Sequence, residues 1–212
     1  MTLLYLVRHG ETDWNRARRI QGSTDIPLND LGREQAASAA DLLSRRRFDA
    51  VVASPLVRAF ETGSIIAERL GLPVPATLDA LVERAYGEAE GMVFDEVERA
   101  FPNGADVPGR ESVDDLLRRV IPALLAIAHE YQGGAVVVAT HGAVIRAVVG
   151  HVAPDEGPAV GQPIRNGSIH SFELVDGDLA LCEFDDPIEA QSEAPGRYEF
   201  GYQNALENQP DA

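Results

Sequence analysis

Three apolar runs, each suited to a buried strand, end in side chains that could bind a phosphate group. Arg8 and His9 follow the first run, Arg58 lies shortly after the second, and His141 follows the third. The carboxyl ends of parallel strands meet at one edge of an open α/β sheet, so we expect these side chains to share one crevice. Arginine binds phosphate oxygens through paired hydrogen bonds, and a neutral imidazole can attack phosphorus. The pattern therefore predicts phosphoryl transfer with a histidine nucleophile and no metal.

Such a reaction also needs an acid for the departing oxygen and a base for the attacking water, because an unassisted alkoxide is a poor leaving group. An irregular stretch between residues 77 and 110 offers the carboxyl groups of Glu83, Glu88 and Glu90. The sequence pattern alone does not indicate which of the three is the proton donor. Long irregular connections often form binding loops, and we therefore expect this stretch to border the site.

Composition excludes several other kinds of chemistry. All 18 basic residues are arginine, so the chain has neither a Schiff-base lysine nor a P-loop lysine. The single cysteine, Cys182, cannot form an internal disulfide or a cysteine-rich metal site. We expect it to be a small core residue on a strand.

The charge of the chain is strongly negative and unevenly distributed. The net charge of −16 opposes binding to nucleic acid or to an anionic membrane, so we expect neither partner. Residues 1–71 hold ten arginines against nine acids, whereas residues 176–212 hold ten acids against Arg197 alone. An anionic ligand would therefore be drawn to the N-terminal part.

No apolar run approaches the roughly 18 to 20 residues that a membrane-spanning helix needs, and an arginine comes too early for a signal peptide. We expect a soluble, cytoplasmic protein, and the sequence leaves its oligomeric state open.

The length of 212 residues and the alternation of strand and helix patterns favour a single α/β domain. The predicted strands cover residues 3–7, 50–53, 135–139, 168–175 and 179–184, with a further extended piece beginning at residue 74. The predicted helices cover residues 29–46, 54–70, 94–100, 112–131 and 143–150. Ser54 is the expected N-cap of the second helix, with Pro55 as its first helical residue. Pro122 should kink the fourth helix.

Asp176 and Gly177 separate the last two strands and predict a hairpin, which gives the sheet an antiparallel edge. The expected fold is a three-layer α/β/α sandwich with a mainly parallel sheet. We assign residues 1–185 to a catalytic domain, with a cap segment at about 84–110. Residues 186–212 form an acidic C-terminal tail in this prediction.

Six sequence blocks occur in an order and spacing that carry a family resemblance. They are LVRHGETDWN (6–15), QGSTDIPLNDLG (21–32), SPLVRAFET (54–62), LVERAYGEAEG (81–91), GRES (109–112) and ATHGAVIR (139–146). Together they resemble the histidine phosphatase superfamily, in the branch that contains cofactor-dependent phosphoglycerate mutase, over about residues 3–175. The resemblance implies a phosphoglycerate mutase-like fold.

The resemblance also implies roles for individual residues. His9 would be the phosphorylated nucleophile, and Glu83 would be the proton donor and acceptor. The phosphate pocket would be completed by Arg8, Arg58 and His141. The substrate site would be lined by Asn15, Gln21, Gly22, Gly142 and Tyr86.

The glycolytic mutases of this branch carry a long insert, with paired arginines that grip a second anionic group. Only about twenty residues lie between Gly91 and Glu111 here, and they include several acids, which favours release of the product over its retention. We therefore expect a phosphatase that hydrolyses a small phosphorylated metabolite through phosphohistidine, with no required cofactor. The alternatives are a phosphoglycerate mutase primed by 2,3-bisphosphoglycerate and, in another class, a non-catalytic phosphate-binding module.

Overall fold

The computed structural model describes residues 1–102, 105–154 and 162–184, and a mixed sheet lies at its centre. Its strands are β1 (Leu3–Arg8), β2 (Ala50–Ala53), β3 (Ala76–Thr77), β4 (Ala135–Thr140), β5 (Ile169–Val175) and β6 (Asp178–Glu183). The strand order is β3-β2-β4-β1-β5-β6. The first four strands in this order run parallel, and β5 and β6 pair in the antiparallel sense.

Helices cover both faces of the sheet. They are α1 (Asp13–Arg16), α2 (Asp30–Leu43), α3 (Val57–Leu70), α4 (Phe94–Ala100), α5 (Val113–Glu130) and α6 (Gly142–Val152). Side chains of α5 and α6 pack on one face in a core that includes Leu4, Leu6 and Val138. Side chains of α2 and α3 pack on the other face, against Tyr5 and Val137. Successive residues of a strand point to opposite faces, so β1 and β4 each contribute to both cores.

This architecture confirms the predicted three-layer α/β/α sandwich with an antiparallel edge. The helix predicted near residues 94–100 occurs as α4, and Asn29 caps α2 by accepting a hydrogen bond from the Gly32 amide. The α2 helix ends at Leu43, three residues before the predicted end. Pro122 lies inside α5, and the kink there remains a prediction.

Two local expectations are wrong. Leu56, not Ser54, is the N-cap of α3, and Pro55 therefore lies outside that helix. The Ser54 hydroxyl contacts His141 and does not cap the helix. Cys182 is exposed on the edge strand β6 and is not a core residue.

The cap segment has a small hydrophobic cluster of its own. Tyr86, Ala89, Val97 and Val107 pack there with Ile20 and with Ala143 at the start of α6. The cap is therefore fastened to the main domain at the end of the sheet where His141 lies.

None of the helices in the described part of the chain combines the length and the apolar character needed to cross a bilayer. The predicted tail at 186–212 and the predicted domain end at residue 185 lie outside the described residues.

Candidate active site

The sheet order brings the predicted histidines together. In the parallel pair β1 and β4, Arg8 is in register with Thr140, so His9 and His141 each lie one residue beyond a strand end. The two imidazole rings stand edge to face, with centroids 5.3 Å apart. Both rings are buried, with exposed fractions of 2% for His9 and 0% for His141.

The hydrogen bonds of His9 define which ring nitrogen is available for chemistry. Nδ1 lies 2.7 Å from the carbonyl oxygen of Gly10, which can only accept, so Nδ1 carries the proton. The lone pair of a neutral ring is then on Nε2. Burial lowers the pKa of His9 well below its usual value of 6.5, and the positive charges of Arg58 and Arg8 lower it further. The site therefore holds His9 as a neutral imidazole with its lone pair on Nε2.

Arg58 lies in the first turn of α3 and is fully buried. Its Nη1 donates to the carbonyl of Thr24 at 2.8 Å, and its Nη2 donates to the carbonyl of Gly22 at 2.7 Å. Its Nε points at His9 Nε2, 3.2 Å away. Burial lowers the pKa of Arg58 to about 10, so the guanidinium remains charged at neutral pH.

The loop that supplies those two carbonyls is fixed by Glu90. This carboxylate accepts hydrogen bonds from the backbone amides of Ser23, Thr24 and Tyr86, and from the hydroxyls of Ser23 and Thr24. Burial opposes the charge of Glu90, but these hydrogen bonds outweigh it and lower its pKa. Gly22 has φ of +55°, and a Cβ there would lie 2.1 Å from Glu90 Oε1. The loop conformation thus requires glycine at this position.

Arg8 approaches the site from beneath the start of α6. Its Nη1 donates to the carbonyl of Ile164 at 2.6 Å, and a Cβ on Gly142 would lie 3.3 Å from its Nε. The residue is 1% exposed. Its positive charge contributes to lowering the pKa of both His9 and His141.

Among the three candidate carboxyl groups, only Glu83 combines burial with a place in the pocket. Its Oε1 accepts from the Arg84 amide at 2.9 Å, and its Oε2 accepts from the Ala143 amide of α6 at 3.2 Å. It is 4% exposed, and its charge acts on Arg58. Glu88 is exposed, and Glu90 is occupied by the loop.

The segment that carries Glu83 is held from α5. Arg119 donates to the backbone carbonyls of Ala80 and Val82, both at 2.8 Å, and to that of Glu83 at 3.2 Å. The guanidinium also makes two hydrogen bonds to Glu111, at 2.7 and 2.9 Å. Such a paired contact is rigid, so the position of Glu83 is fixed by tertiary structure.

The other predicted site residues differ in what they contact. The side-chain oxygen of Asn15 accepts from the Thr12 amide and shares the single hydroxyl proton of Thr12 with the side chain of Gln21. Gln21 accepts from the same hydroxyl at 3.0 Å, and its buried Nε2 has no hydrogen-bond partner within the described ranges. Tyr86 is buried in the cap cluster, with the Arg84 guanidinium 5.9 Å from its ring centroid. Asn15 and Gln21 are thus linked through Thr12, and the substrate contacts of all these residues remain predictions.

The sequence interpretation missed the segment before β5. Asn166 donates to the carbonyl of His9 at 2.9 Å, and Arg8 and Ser168 form a backbone hydrogen bond at 3.1 Å. The Asn166-Gly167 pair is a turn signal. Its closeness to the site follows from the antiparallel pairing of β5 with β1, in which Val7 faces Ile169, and no local pattern reports that pairing.

Two hydroxyl residues of the pocket were also missed. The Ser54 hydroxyl oxygen lies 2.7 Å from His141 Nε2, whereas the sequence predicts that it caps a helix. Thr62 accepts from the Gly10 amide at 3.1 Å and donates to the Arg58 carbonyl at 2.8 Å. Thr62 therefore ties the nucleophile's loop to α3.

The fold and the pocket define a phosphoglycerate mutase-like α/β protein, and comparison with known proteins identifies its family. The family model of the histidine phosphatase superfamily (branch 1) matches residues 4–186. The chain belongs to the histidine phosphatase superfamily.

Similar proteins include phosphatases and a mutase. The chain is 38% identical over 198 residues to a metal-independent phosphoserine phosphatase of Arabidopsis thaliana, covering 88% of the chain and 82% of that protein. It is 36% identical over 163 residues to a 2,3-bisphosphoglycerate-dependent phosphoglycerate mutase of Methylobacterium radiotolerans, covering 69% and 77%. A solved structure of a phosphoserine phosphatase mutant from Entamoeba histolytica, in complex with phosphoserine, has a TM-score of 0.74. That structure is 27% identical, and the match covers 88% of this chain and 98% of the other.

Proposed function

We propose that this protein is a metal-independent phosphatase that hydrolyses a small phosphorylated metabolite through a phosphohistidine at His9. The observation that carries this proposal is the state of the His9 ring. Its Nδ1 proton is held by the Gly10 carbonyl, and its Nε2 lone pair faces the cationic side of the pocket at Arg58. A binding module would need the cations but not an unprotonated, oriented nitrogen.

In the first step, His9 Nε2 attacks phosphorus as the bond from phosphorus to the ester oxygen breaks. Arg8, Arg58 and His141 bind the phosphoryl oxygens, whose negative charge they stabilise in the transition state. Glu83, which is ionised in the unliganded protein, must take up a proton before this step, and it gives that proton to the departing alkoxide. Phosphohistidine, a free alcohol and the Glu83 carboxylate result.

In the second step, the Glu83 carboxylate takes a proton from water as that water attacks the phosphorus of phosphohistidine. The bond from phosphorus to Nε2 breaks, and the electron pair returns to His9. Inorganic phosphate leaves, and Glu83 is again protonated. One carboxyl group thus serves both steps, since the first step needs a proton donor and leaves a carboxylate, and the second step needs a proton acceptor.

A mechanism of this kind requires no metal, and the relative from Arabidopsis thaliana is named as metal-independent. In the described ranges, no group of three or more His, Cys, Asp and Glu side chains is arranged to hold a metal ion. We propose that arginine and the pocket N–H groups supply the positive charge that a metal would otherwise provide.

Phosphoglycerate mutase activity is the second candidate function. The observation that favours it is the 36% sequence identity to the mutase of Methylobacterium radiotolerans. A mutase would hold its product in the pocket and return the phosphoryl group to it. Activity on phosphoglycerate that depends on 2,3-bisphosphoglycerate, with labelled phosphate found in the product, would favour this reading. Label released as inorganic phosphate supports the phosphatase.

The test of the phosphatase compares wild type with the His9→Ala variant on p-nitrophenyl phosphate and on a panel that includes O-phosphoserine, 3-phosphoglycerate and sugar phosphates. We expect His9→Ala to lose turnover and the acid-labile phosphoenzyme that rapid quenching traps. His129→Ala, on the exposed side of α5, is the matched control. Wild-type rates in His9→Ala would exclude His9 as nucleophile, and tight phosphate binding without turnover in the wild type would favour a binding module.

A further inference from the structure

Ser54 and His141 form a buried pair on adjacent strand ends. Ala53 of β2 is in register with Ala139 of β4, and the Ser54 amide donates to the Ala139 carbonyl at 2.9 Å. The Ser54 hydroxyl then lies 2.7 Å from His141 Nε2. Both side chains are 0% exposed. The sheet itself therefore fixes the distance between this hydroxyl and this ring.

The direction of that hydrogen bond follows from counting donors and acceptors. The Ser54 oxygen already accepts from the Leu56 amide at 3.3 Å, and His141 Nε2 is the other partner that the structure gives it. A buried hydroxyl proton needs an acceptor, because leaving it unpaired costs free energy. If Nε2 carried the ring proton, the Ser54 proton would have no acceptor among the residues that the structure describes. The satisfied arrangement has Ser54 donating to an unprotonated Nε2.

This direction decides where the proton of His141 resides. A neutral imidazole has one N–H, so an unprotonated Nε2 places the proton on Nδ1. Nδ1 of His141 is buried and has no hydrogen-bond partner within the described residues. The ring stands beside His9, Arg8 and Arg58, all of which act on its charge. An unsatisfied N–H among these groups is available to a phosphoryl oxygen.

Electrostatics supports the neutral form of the ring. Burial is the largest reason that the pKa of His141 lies well below its usual value, and the charge of Arg58 lowers it further. A neutral histidine can be a donor or an acceptor at Nδ1, depending on its tautomer. The wrong tautomer would present a lone pair to an anionic substrate.

We propose that Ser54 is a positioning residue that holds His141 in its Nδ1–H tautomer, so that Nδ1 donates a hydrogen bond to the bound phosphoryl group. Ser54 acts through His141 and does not touch the substrate. The part of this inference that concerns the phosphoryl group rests on the proposed function. The part that concerns the tautomer does not.

The first experiment reads the tautomer directly in the unliganded protein. Long-range ¹H–¹⁵N spectra of protein labelled at histidine distinguish a protonated from an unprotonated ring nitrogen, and a His141→Gln variant assigns the His141 signals. We expect wild type to show His141 with its proton on Nδ1, and Ser54→Ala to lose that preference. A wild-type ring protonated on Nε2 would overturn the proposal, whether or not the protein proves to be a phosphatase.

The second experiment measures binding of inorganic phosphate by calorimetry. We expect Ser54→Ala to weaken binding by about tenfold or more, because a hydrogen bond to a charged group is lost. Ser54→Thr keeps the hydroxyl and should restore both the tautomer and the affinity. The control is Ser64→Ala, whose hydroxyl bonds the Phe60 carbonyl within α3. Unchanged affinity and an unchanged tautomer in a folded Ser54→Ala would overturn the proposal.

Failure of the proposed function would look different. A wild-type protein that binds phosphate but hydrolyses no ester contradicts the phosphatase, yet the spectra and the phosphate affinities would still decide the role of Ser54. If the wild-type protein binds no phosphate, the proposed hydrogen bond from Nδ1 to a phosphoryl group is wrong. The NMR spectra would then still test whether Ser54 sets the tautomer of His141.

Discussion

Arg58 Nε lies 3.2 Å from His9 Nε2, so an N–H donor occupies the lone pair that would attack phosphorus. The other two nitrogens of the same guanidinium are held by the carbonyls of Gly22 and Thr24. An incoming phosphoryl group would have to take over the Nε donor, which frees the lone pair at the same moment. In the unliganded protein the buried Nε2 of His9 therefore has a hydrogen-bond donor, and the charged guanidinium of Arg58 is held beside it.

This contact leads to a prediction for Arg58. The charge of Arg58 is a cause of the low pKa of His9, second to burial, so Arg58→Ala should raise that pKa towards its usual value. The acid limb of kcat/KM should then move to higher pH, and kcat/KM at its plateau should fall by roughly 100-fold or more. Arg58→Lys keeps the charge but not the paired hydrogen bonds, so it should lose activity while the His9 titration stays low.

The measurements are a pH profile of kcat/KM on p-nitrophenyl phosphate and an NMR titration of labelled histidine. Arg69→Gln, at the exposed end of α3, is the control and should match wild type. An acid limb at the same pH in Arg58→Ala and in wild type would show that the charge of Arg58 does not set the protonation of His9.

Glu83 is the subject of the second prediction. Glu83→Gln retains the shape of the side chain and removes the transferable proton. We expect turnover of alkyl phosphates to fall by roughly 100-fold to 10,000-fold, because positioned acids contribute about that much, whereas aryl phosphates with good leaving groups lose far less. The measurement is kcat on a series of phosphate esters of graded leaving-group pKa.

The matched control is Glu88→Gln, an exposed residue five positions further along the chain. Equal losses of Glu83→Gln on alkyl and aryl esters would argue against protonation of the leaving group.

The third prediction concerns Glu90, which accepts hydrogen bonds on both carboxylate oxygens from residues 23, 24 and 86. Glu90→Gln places an NH₂ group against donors, whichever way the amide turns. We expect the free energy of unfolding to fall by about 1 kcal/mol, because the partly buried amides of Thr24 and Tyr86 lose an acceptor, whereas the exposed Ser23 can turn to water. KM should rise, since the same loop supplies the carbonyls that hold Arg58.

Urea unfolding and steady-state kinetics test both parts, again beside Glu88→Gln. A variant with wild-type stability and wild-type KM would show that the loop does not depend on Glu90.

Local sequence patterns identified the residues at strand ends but not those positioned by distant parts of the chain. Arg8, His9 and His141 follow apolar runs, so strand ends alone located them, and the parallel order of β1 and β4 then made them neighbours. The choice of Glu83 needed the family resemblance, because its position depends on Arg119 from a distant helix. Asn166 enters through strand pairing across more than 150 residues, and no periodicity in the sequence encodes such a pairing.

The role of Ser54 could not be predicted from the sequence for a different reason. A serine followed by proline is a common start of a helix, and this pattern favoured Ser54 as the N-cap. The structure gives that hydroxyl to His141, and the helix begins three residues later without a side-chain cap. Tertiary contact overrode the local preference at a residue of the site, where such conflicts are expected.

The fourth prediction concerns stability and rests on His170, which is buried on β5 with Nε2 2.9 Å from the Ser168 hydroxyl oxygen. Burial, with a smaller effect of Arg146, lowers the pKa of His170 to about 3. The unfolded chain takes up this proton near pH 6.5, and the folded chain does so only near pH 3. Between these values the unfolded state binds more protons, so stability falls as the pH falls.

At pH 5 the contribution of His170 to this loss should be about 2 kcal/mol relative to pH 7.5, since each pH unit below the unfolded pKa is worth about 1.4 kcal/mol. His170→Gln keeps a polar contact with Ser168 but does not titrate. The stability advantage of wild type over this variant should therefore shrink by about 2 kcal/mol between pH 7.5 and pH 5. Urea unfolding at the two values measures it, with His129→Gln as the exposed control. A gap between wild type and His170→Gln that stays constant with pH would show that His170 does not remain neutral in the folded protein.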